Sequence, residues 1–309
     1  MTRRYYDLNT YLRDLFGCRV QKVAVDAGLT CPNRDGSISR EGCIYCNAQG
    51  SGTGHHKMGM SITEQILRGQ RFLIRRYKAR KFIVYFQSFS NTYGPVATLK
   101  ALYKEALNVD KVVGLNIGTR PDCVSEAVLD LLEDLAQEHL IWVEYGLQSV
   151  HDETLNFIRR GHDFKAFCDA VEATRKRGIK ICAHVILGLP GEDRQHMLKT
   201  ARTIAQLGLD GVKLHLLYVV KDTPMADLYQ KGAYRCLGMQ EYADLVCEFL
   251  EYLPPDMVIQ RFTSDPHKDE LVAPLWALQK AATHNLIHAT LEAKDTWQGR
   301  RYPVFIQKG

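Results

Sequence analysis

Lys22-Val-Ala-Val-Asp-Ala-Gly-Leu-Thr-Cys31-Pro-Asn-Arg-Asp-Gly-Ser-Ile-Ser-Arg-Glu-Gly-Cys43-Ile-Tyr-Cys46 joins a short β-branched run to a loop that holds three cysteines. The run at 22–26 reads as a buried strand. Similar runs recur at 82–86, 112–117, 141–145, 179–187 and 211–217, with longer amphipathic stretches between them. That alternation is the signature of βα units and a parallel sheet. Helix starts are marked by a capping box at Ser61-Ile-Thr-Glu64 and by the N-cap candidates Ser125 and Asp163; Gly178 and Gly208 are placed to stop helices. Right-handed crossovers make all six strands parallel, and six units suffice for an open, curved barrel but not for a closed eight-stranded one. The fold expected is α/β, a partial (β/α)6 barrel over residues 21–222. Its chemistry should sit in the loops after the strand C-termini.

Beyond residue 222 the alternation stops. Helical patterns cover 225–231 and 239–252, a strand-like run covers 257–262, and a helix is expected over about 272–291. With no solenoid repeat, low-complexity tract or Gly/Ser linker, residues 223–309 read as an α/β extension packed on the barrel, and 1–20 as an N-terminal segment. Across 309 residues, 46% are hydrophobic and 24% charged, as in globular proteins. No apolar run approaches the roughly 18 to 20 residues of a membrane span, and no signal-peptide core follows Met1, so a cytoplasmic protein with no membrane contact is expected. The net charge of +5 tolerates an anionic partner without demanding nucleic acid.

Nine cysteines in a reducing compartment do not suggest a disulfide framework. Cys18, Cys123, Cys168, Cys182, Cys236 and Cys247 are scattered and suit packing. Cys31, Cys43 and Cys46 form C-x11-C-x2-C and suit metal ligation. A structural zinc ion would require a fourth ligand, for which His55 or His56 is the candidate. A [4Fe-4S] cluster on three thiolates would instead leave one iron open to a small molecule.

A cysteine trio after the first strand of a partial βα barrel resembles the radical S-adenosylmethionine (SAM) superfamily, although its usual spacing is C-x3-C-x2-C. The longer first gap, the opening Cys-Pro-Asn-Arg-Asp-Gly and the closing Gly-Cys-x-x-Cys are similar to the branch that contains the Elongator catalytic subunit and the bacterial YhcC/YtqA proteins. This resemblance implies a [4Fe-4S] cluster on Cys31, Cys43 and Cys46, with SAM as cosubstrate. Ile141-Trp-Val-Glu-Tyr-Gly-Leu-Gln148 and Ile158-Arg-Arg160-Gly-His162 are similar to a shared stretch, implying that Gln148 and Arg160 face the SAM nucleoside. His184-Val-Ile-Leu-Gly188-Leu-Pro-Gly-Glu192 is similar to a fifth-strand motif, implying that His184 reaches the ribose and that backbone near Gly188 lies against adenine. Where many members carry Gly-Gly-Glu for the methionine amine, this chain has Gln87-Ser88-Phe-Ser-Asn91, so Gln87, Ser88 and Asn91 stand as substitutes. Thr119, Arg120, Lys213, His215, Tyr218 and Lys221 also fall near the expected barrel mouth.

The same resemblance implies reductive cleavage of SAM to a 5′-deoxyadenosyl radical by an electron from an external one-electron donor. It favours tRNA as substrate, with modification of the wobble-uridine C5 side chain, for instance from carboxymethylaminomethyl to aminomethyl. Basic runs at Arg75-Arg-Tyr-Lys-Ala-Arg-Lys81, Arg175-Lys-Arg177 and Arg300-Arg301 offer phosphate contacts, although such residues also suit helix C-termini. Two alternatives stay open: a radical SAM enzyme on a small metabolite or protein, and a non-enzymatic zinc-bound RNA-binding module.

Overall fold

The computed structural model describes residues 3–47, 50 and 55–303. Its strands are β1 Val20–Val25, β2 Lys81–Phe86, β3 Val112–Thr119, β4 Leu140–Gln148, β5 Lys180–Leu187, β6 Gly211–Leu216, β7 Val219–Val220, β8 Val258–Arg261 and β9 Leu271–Ala273. The helices are α1 Leu8–Phe16, α2 Pro32–Asp35, α3 Ile62–Tyr77, α4 Val96–Leu107, α5 Glu126–Ala136, α6 Asp152–Phe157, α7 Phe164–Arg175, α8 Arg194–Ala205, α9 Pro224–Gln230, α10 Met239–Glu251 and α11 Lys280–Ala293.

Strands β1 to β6 lie in sequence order, all parallel, and β8 joins beside β6, so the extension supplies a seventh strand. The capping box at Ser61 and the caps at Ser125 and Asp163 are formed. The helix expected from about residue 272 begins later. Val219 and Val220 pair antiparallel with Ala273 and Leu271, Pro274 has no N–H to give a helix, and Leu275–Leu278 form a 3-10 turn before α11 starts at Lys280.

The sheet is strongly curled. Lys22 on β1 and Gln260 on β8 belong to opposite edges, yet their side chains hydrogen-bond. In a flat sheet, six strand spacings of about 4.8 Å would hold them roughly 29 Å apart. The outward strand faces are buried under helices in the main apolar core, which contains Val84, Leu115, Val143, Ile181 and Val212. A second apolar cluster, with Ile44, Leu155, Ile158, Leu217 and Met225, lies at the mouth and seats the cysteine loop.

Candidate active site

The eleven residues between Cys31 and Cys43 fold on themselves. The Cys31 carbonyl accepts from the N–H groups of Arg34 and Asp35 and so opens α2, and the Pro32 and Asn33 carbonyls take the returning N–H groups of Ile38 and Gly42. Cys43 and Cys46 close a tight turn, Cys46 N to Cys43 O at 3.0 Å. Ile44 anchors that turn by donating to Ile158 O and accepting from Met225 N. Asn33 Nδ2 lies 3.6 Å from Cys43 Sγ and donates to the carbonyls of Arg159 and Arg160 at 2.8 and 3.1 Å. The long gap is thus a built loop braced from below.

Three guanidiniums surround it. Arg160, buried, places Nη1 3.7 Å from Cys43 Sγ and donates twice to Gly146 O, at 2.7 and 3.2 Å. Arg120 donates to Arg160 O at 2.7 Å and is clamped by Asp122 at 2.7 and 2.9 Å. Arg34 donates to Cys46 O at 2.5 Å. Burial by itself raises the Cys43 thiol, but the charges of Arg160 and Arg120 outweigh it and hold the group below its ordinary value. Cys46 is raised, first by burial and then by Cys43, with Arg34 opposing.

The three thiols are near enough to act on one another electrostatically, since Cys43 and Cys31 both bear on Cys46. Among the described residues no three His, Cys, Asp or Glu side chains converge on one metal-ion position. The His56 ring lies over Gly28, three residues before Cys31, so closely that a Cβ there would lie 2.2 Å from Nε2. Three thiols walled by cations suit an anionic multi-iron cluster, with one thiolate for each of three irons.

The structure brings Gln148 and Arg160 together. A Cβ on Gly146 would lie 2.5 Å from Arg160 Nη2 and 2.9 Å from Gln148 Nε2, so only glycine admits both groups over this point of β4. Gln148 has φ +77° at a register shift against β5. Ser88 is buried, and its Oγ has no hydrogen-bond partner among the described residues; Gln87 is half-buried beside it.

Besides Arg160, held by Gly146 O and Cys43, three expected SAM contacts have other partners. Asn91 Nδ2 is committed to the carbonyls of Phe86, Ser88 and Gly118 at 3.2, 2.9 and 2.9 Å, stitching β2 to β3. His184 Nε2 lies 2.8 Å from Glu144 Oε2 inside the barrel. Gly188 adopts φ +87°, its carbonyl accepts from Tyr234 Oη at 2.7 Å, and Leu237 packs on its Cα. A groove of about 860 Å³ opens on that outer side, away from the barrel interior. Its charged walls pair among themselves, as Arg194 with Glu248, Arg235 with Glu241 and Lys294 with Asp244.

Glu144, not singled out from the sequence, is the centre of the interior. Its fully buried carboxylate accepts from Lys213, Lys22, His184 and Asn116, contributed by four different strands. The available signal was a charged residue in the middle of several apolar strands.

The basic runs separate clearly. α3 descends from the mouth to the N-terminal end of β2, so Arg75 to Lys81 lie at the end of the barrel opposite the cysteines, where Arg80 N donates to Arg19 O. Arg177 is tied to Glu126, Asp130 and Glu133, Lys176 to Glu172, and Arg301 to Glu248 and Glu251.

A curled parallel half-barrel carrying a three-cysteine, arginine-walled loop at its mouth defines an enzyme that works with an iron–sulfur cluster. The comparisons place it. Residues 33–204 match the Radical SAM superfamily and 209–293 the Radical_SAM C-terminal domain. The chain is 41% identical to protein YtqA of Bacillus subtilis over 96% of this chain and 92% of that protein, and 39% identical to protein YhcC of Escherichia coli over 84% of each. Among solved structures, the archaeal Methanocaldococcus infernus Elp3 with an N-terminal deletion shares the fold, with a TM-score of 0.68 at 18% identity over 90% of this chain and 64% of that one. The chain belongs to the radical SAM superfamily, in its Elongator-like branch, and as a member it is an enzyme that uses a [4Fe-4S] cluster and SAM. The family match divides between residues 204 and 209, whereas the sheet continues across that point through β6 to β8. Among the described residues no helix is long and apolar enough to cross a membrane.

Proposed function

We propose that this enzyme modifies the C5 side chain of the tRNA wobble uridine, converting a carboxymethylaminomethyl group to aminomethyl or a closely related change, in the cytoplasm and with an external one-electron donor. The observation that carries the reading is the C-x11-C-x2-C loop with its Cys-Pro-Asn-Arg-Asp-Gly opening, the form it takes in the Elongator-like branch. In this reading Cys31, Cys43 and Cys46 hold the cluster. Gln148, Arg160 and Ser88 orient SAM through an amide, a guanidinium and a hydroxyl, with Gln87 and the backbone at Gly188 beside them, while the stitching by Asn91 and the His184–Glu144 pair shape the wall. When bound, the reduced cluster supplies the electron that cleaves SAM. The curled sheet shields the reacting carbon from water, which keeps a radical from being quenched by side reactions.

The decisive test compares modified nucleosides in tRNA from cells with and without the gene. The wobble-uridine profile is expected to accumulate the carboxymethylaminomethyl form. An unchanged profile transfers the reading to a small-metabolite or protein substrate.

Gly146→Ala is expected to push the Arg160 guanidinium off its carbonyl. Loss of one charge-assisted contact should weaken SAM binding by about tenfold, read by calorimetry on anaerobically reconstituted protein. Unchanged affinity would remove Arg160 and Gln148 from the SAM site.

Along α3, Arg68, Arg71, Arg75 and Arg76 are exposed and have no carboxylate partner among the described residues, unlike Arg177. If they grip tRNA phosphates, reversing Arg71, Arg75 and Arg76 to Glu should lower tRNA affinity at low salt by about tenfold or more. The slope of log K against log salt should fall by about two, at roughly 0.7 to 0.9 per phosphate. Fluorescence anisotropy checks both, and an unaltered slope excludes this helix from the tRNA surface.

A further inference from the structure

We propose that the lumen of the half-barrel contains an anion site, built from the Arg261 guanidinium and the side-chain N–H groups of His215 and Gln260, that takes a carboxylate on the substrate. The proposal rests on the radical SAM reading above and specifies the substrate group recognised.

The donor and acceptor count in the lumen is unequal. Glu144 is the one carboxylate among the described lumen groups, and its two oxygens offer about four acceptor positions. Lys213, Lys22, His184 and Asn116 already fill them. Left over are His215 Nε2 and Gln260 Nε2, both shielded from solvent and without a hydrogen-bond partner among the described residues, against one unpaired acceptor of the same cluster, Asn116 Oδ1. Arg261 likewise has no carboxylate beside it among the described residues, although its charge acts on Tyr85, His184, Lys213 and His215. Lys22 and Arg261, together with a Lys213 whose burial lowers it to about 7, thus share one carboxylate. A buried surplus of donors and positive charge is costly unless an anion meets it.

The backbone explains why Arg261 faces inward at all. Consecutive strand residues normally point to opposite faces, and Gln260 already reaches Lys22 across the lumen. The register between β6 and β8 shifts, however, so that Val212 faces Ile259 but Lys213 faces Arg261, with Gln260 as the extra residue. Such a bulge turns two successive side chains toward one side, and bulges are common beside active sites for this reason.

The site also lies within reach of the chemistry. Tyr218, just beyond β6, is subject to the charges of Cys46 and Arg261, and of Asp265 and Glu270, so the cysteine loop and the lumen donors act on one side chain. His184 and His215 set their rings 5.2 Å apart, tilted by 44°, along the same wall. A substrate anchored by a carboxylate at Arg261 would extend toward the loop where SAM is cleaved. In the wobble-uridine reading, the carboxymethyl group supplies that carboxylate.

The test titrates anaerobically reconstituted, SAM-loaded protein with three probes: 5-carboxymethylaminomethyluridine, its methyl ester and N-methylglycine. The acid is expected to bind about ten to a hundred times more tightly than the ester, as charge-assisted hydrogen bonds require. Arg261→Gln and His215→Phe should each abolish that preference while SAM affinity, iron content and melting temperature stay near wild type, and Arg261→Lys should retain part of it. Equal binding of acid and ester, or a preference that survives Arg261→Gln, overturns the site. If neither nucleoside binds but N-methylglycine does, and Arg261→Gln abolishes that binding, the anion site stands and the wobble-uridine assignment fails. If none of the three binds the wild type, the site itself is wrong.

Discussion

Replacing any one of Cys31, Cys43 or Cys46 by Ala is expected to abolish the cluster: iron after anaerobic reconstitution falls from about four per chain to below one, and 5′-deoxyadenosine formation falls by at least about a thousandfold. The expectation follows from how little redundancy the loop has. Among the described residues no other group of three His, Cys, Asp or Glu side chains offers an alternative metal site. The three guanidiniums around the loop donate and cannot ligate. Of the remaining cysteines, Cys182 is buried on β5 and Cys247 on α10, and burial followed by Asp122 raises the Cys123 thiol in the turn after β3. Cys168→Ala, on the half-buried side of α7, is the matched control and should leave iron and turnover unchanged. Iron analysis, the visible charge-transfer absorption and product chromatography read the three effects separately. A trio variant that kept full iron and full turnover would sink the cluster assignment.

The sequence exposed what depends on local pattern. The six strand runs were visible because parallel strands covered on both faces are nearly continuous in apolar residues. The cysteine loop was visible because its ligands are adjacent along the chain. What depends on long-range geometry was not. Glu144 sits between Val143 and Tyr145, where one acid among apolar residues looks like noise until the curl of the sheet brings Lys22 from β1 and Lys213 from β6 to it. Strand β8 reads from sequence as part of the extension packed on the barrel, because nothing in residues 257–262 specifies that β6 is its neighbour. Asn91 carried the composition of a binding loop, but the backbone carbonyls it serves lie 3, 5 and 27 residues away. The basic runs were legible as helix C-termini and illegible as to which end of the barrel they occupy; topology settles that. The start of α11 was placed early because Val272 and Ala273 continue an apolar rhythm that pairing with β7 in fact uses.

Acid should destabilise this protein steeply between pH 6.5 and 4, and the barrel interior is the reason. Burial, then the charge of Lys213, push His184 down to about 4, although Glu144 pulls the other way. Burial, then His184, Arg261 and Lys213, hold His215 well below its ordinary value. The unfolded chain would take a proton on each near pH 6.5 while the folded chain refuses it, so stability is complete above 6.5 and declines as pH falls toward the folded values. Each refused proton contributes a slope of about 1.4 kcal/mol per pH unit. Glu144 adds in the same direction lower down: despite its burial, Lys213 and Lys22 keep its carboxyl well below 4.5, and the stabilisation this represents disappears as pH drops through the range beneath 4.5. Lys213, lowered by burial to about 7, acts at the other end, where stability rises with pH between 7 and 10.5. Urea denaturation of the holoprotein at half-unit pH steps should therefore show a falling midpoint below pH 6.5, and the double variant His184→Gln, His215→Asn should flatten that slope. Glu144→Ala should cost about 3 to 5 kcal/mol at pH 7, since it leaves Lys22 and Lys213 buried without their carboxylate. Glu144→Gln keeps the volume, so a comparable loss in that variant isolates charge from packing. Equal slopes in wild type and the double histidine variant would show that these imidazoles are not buried neutral, and the lumen described above would have to be redrawn.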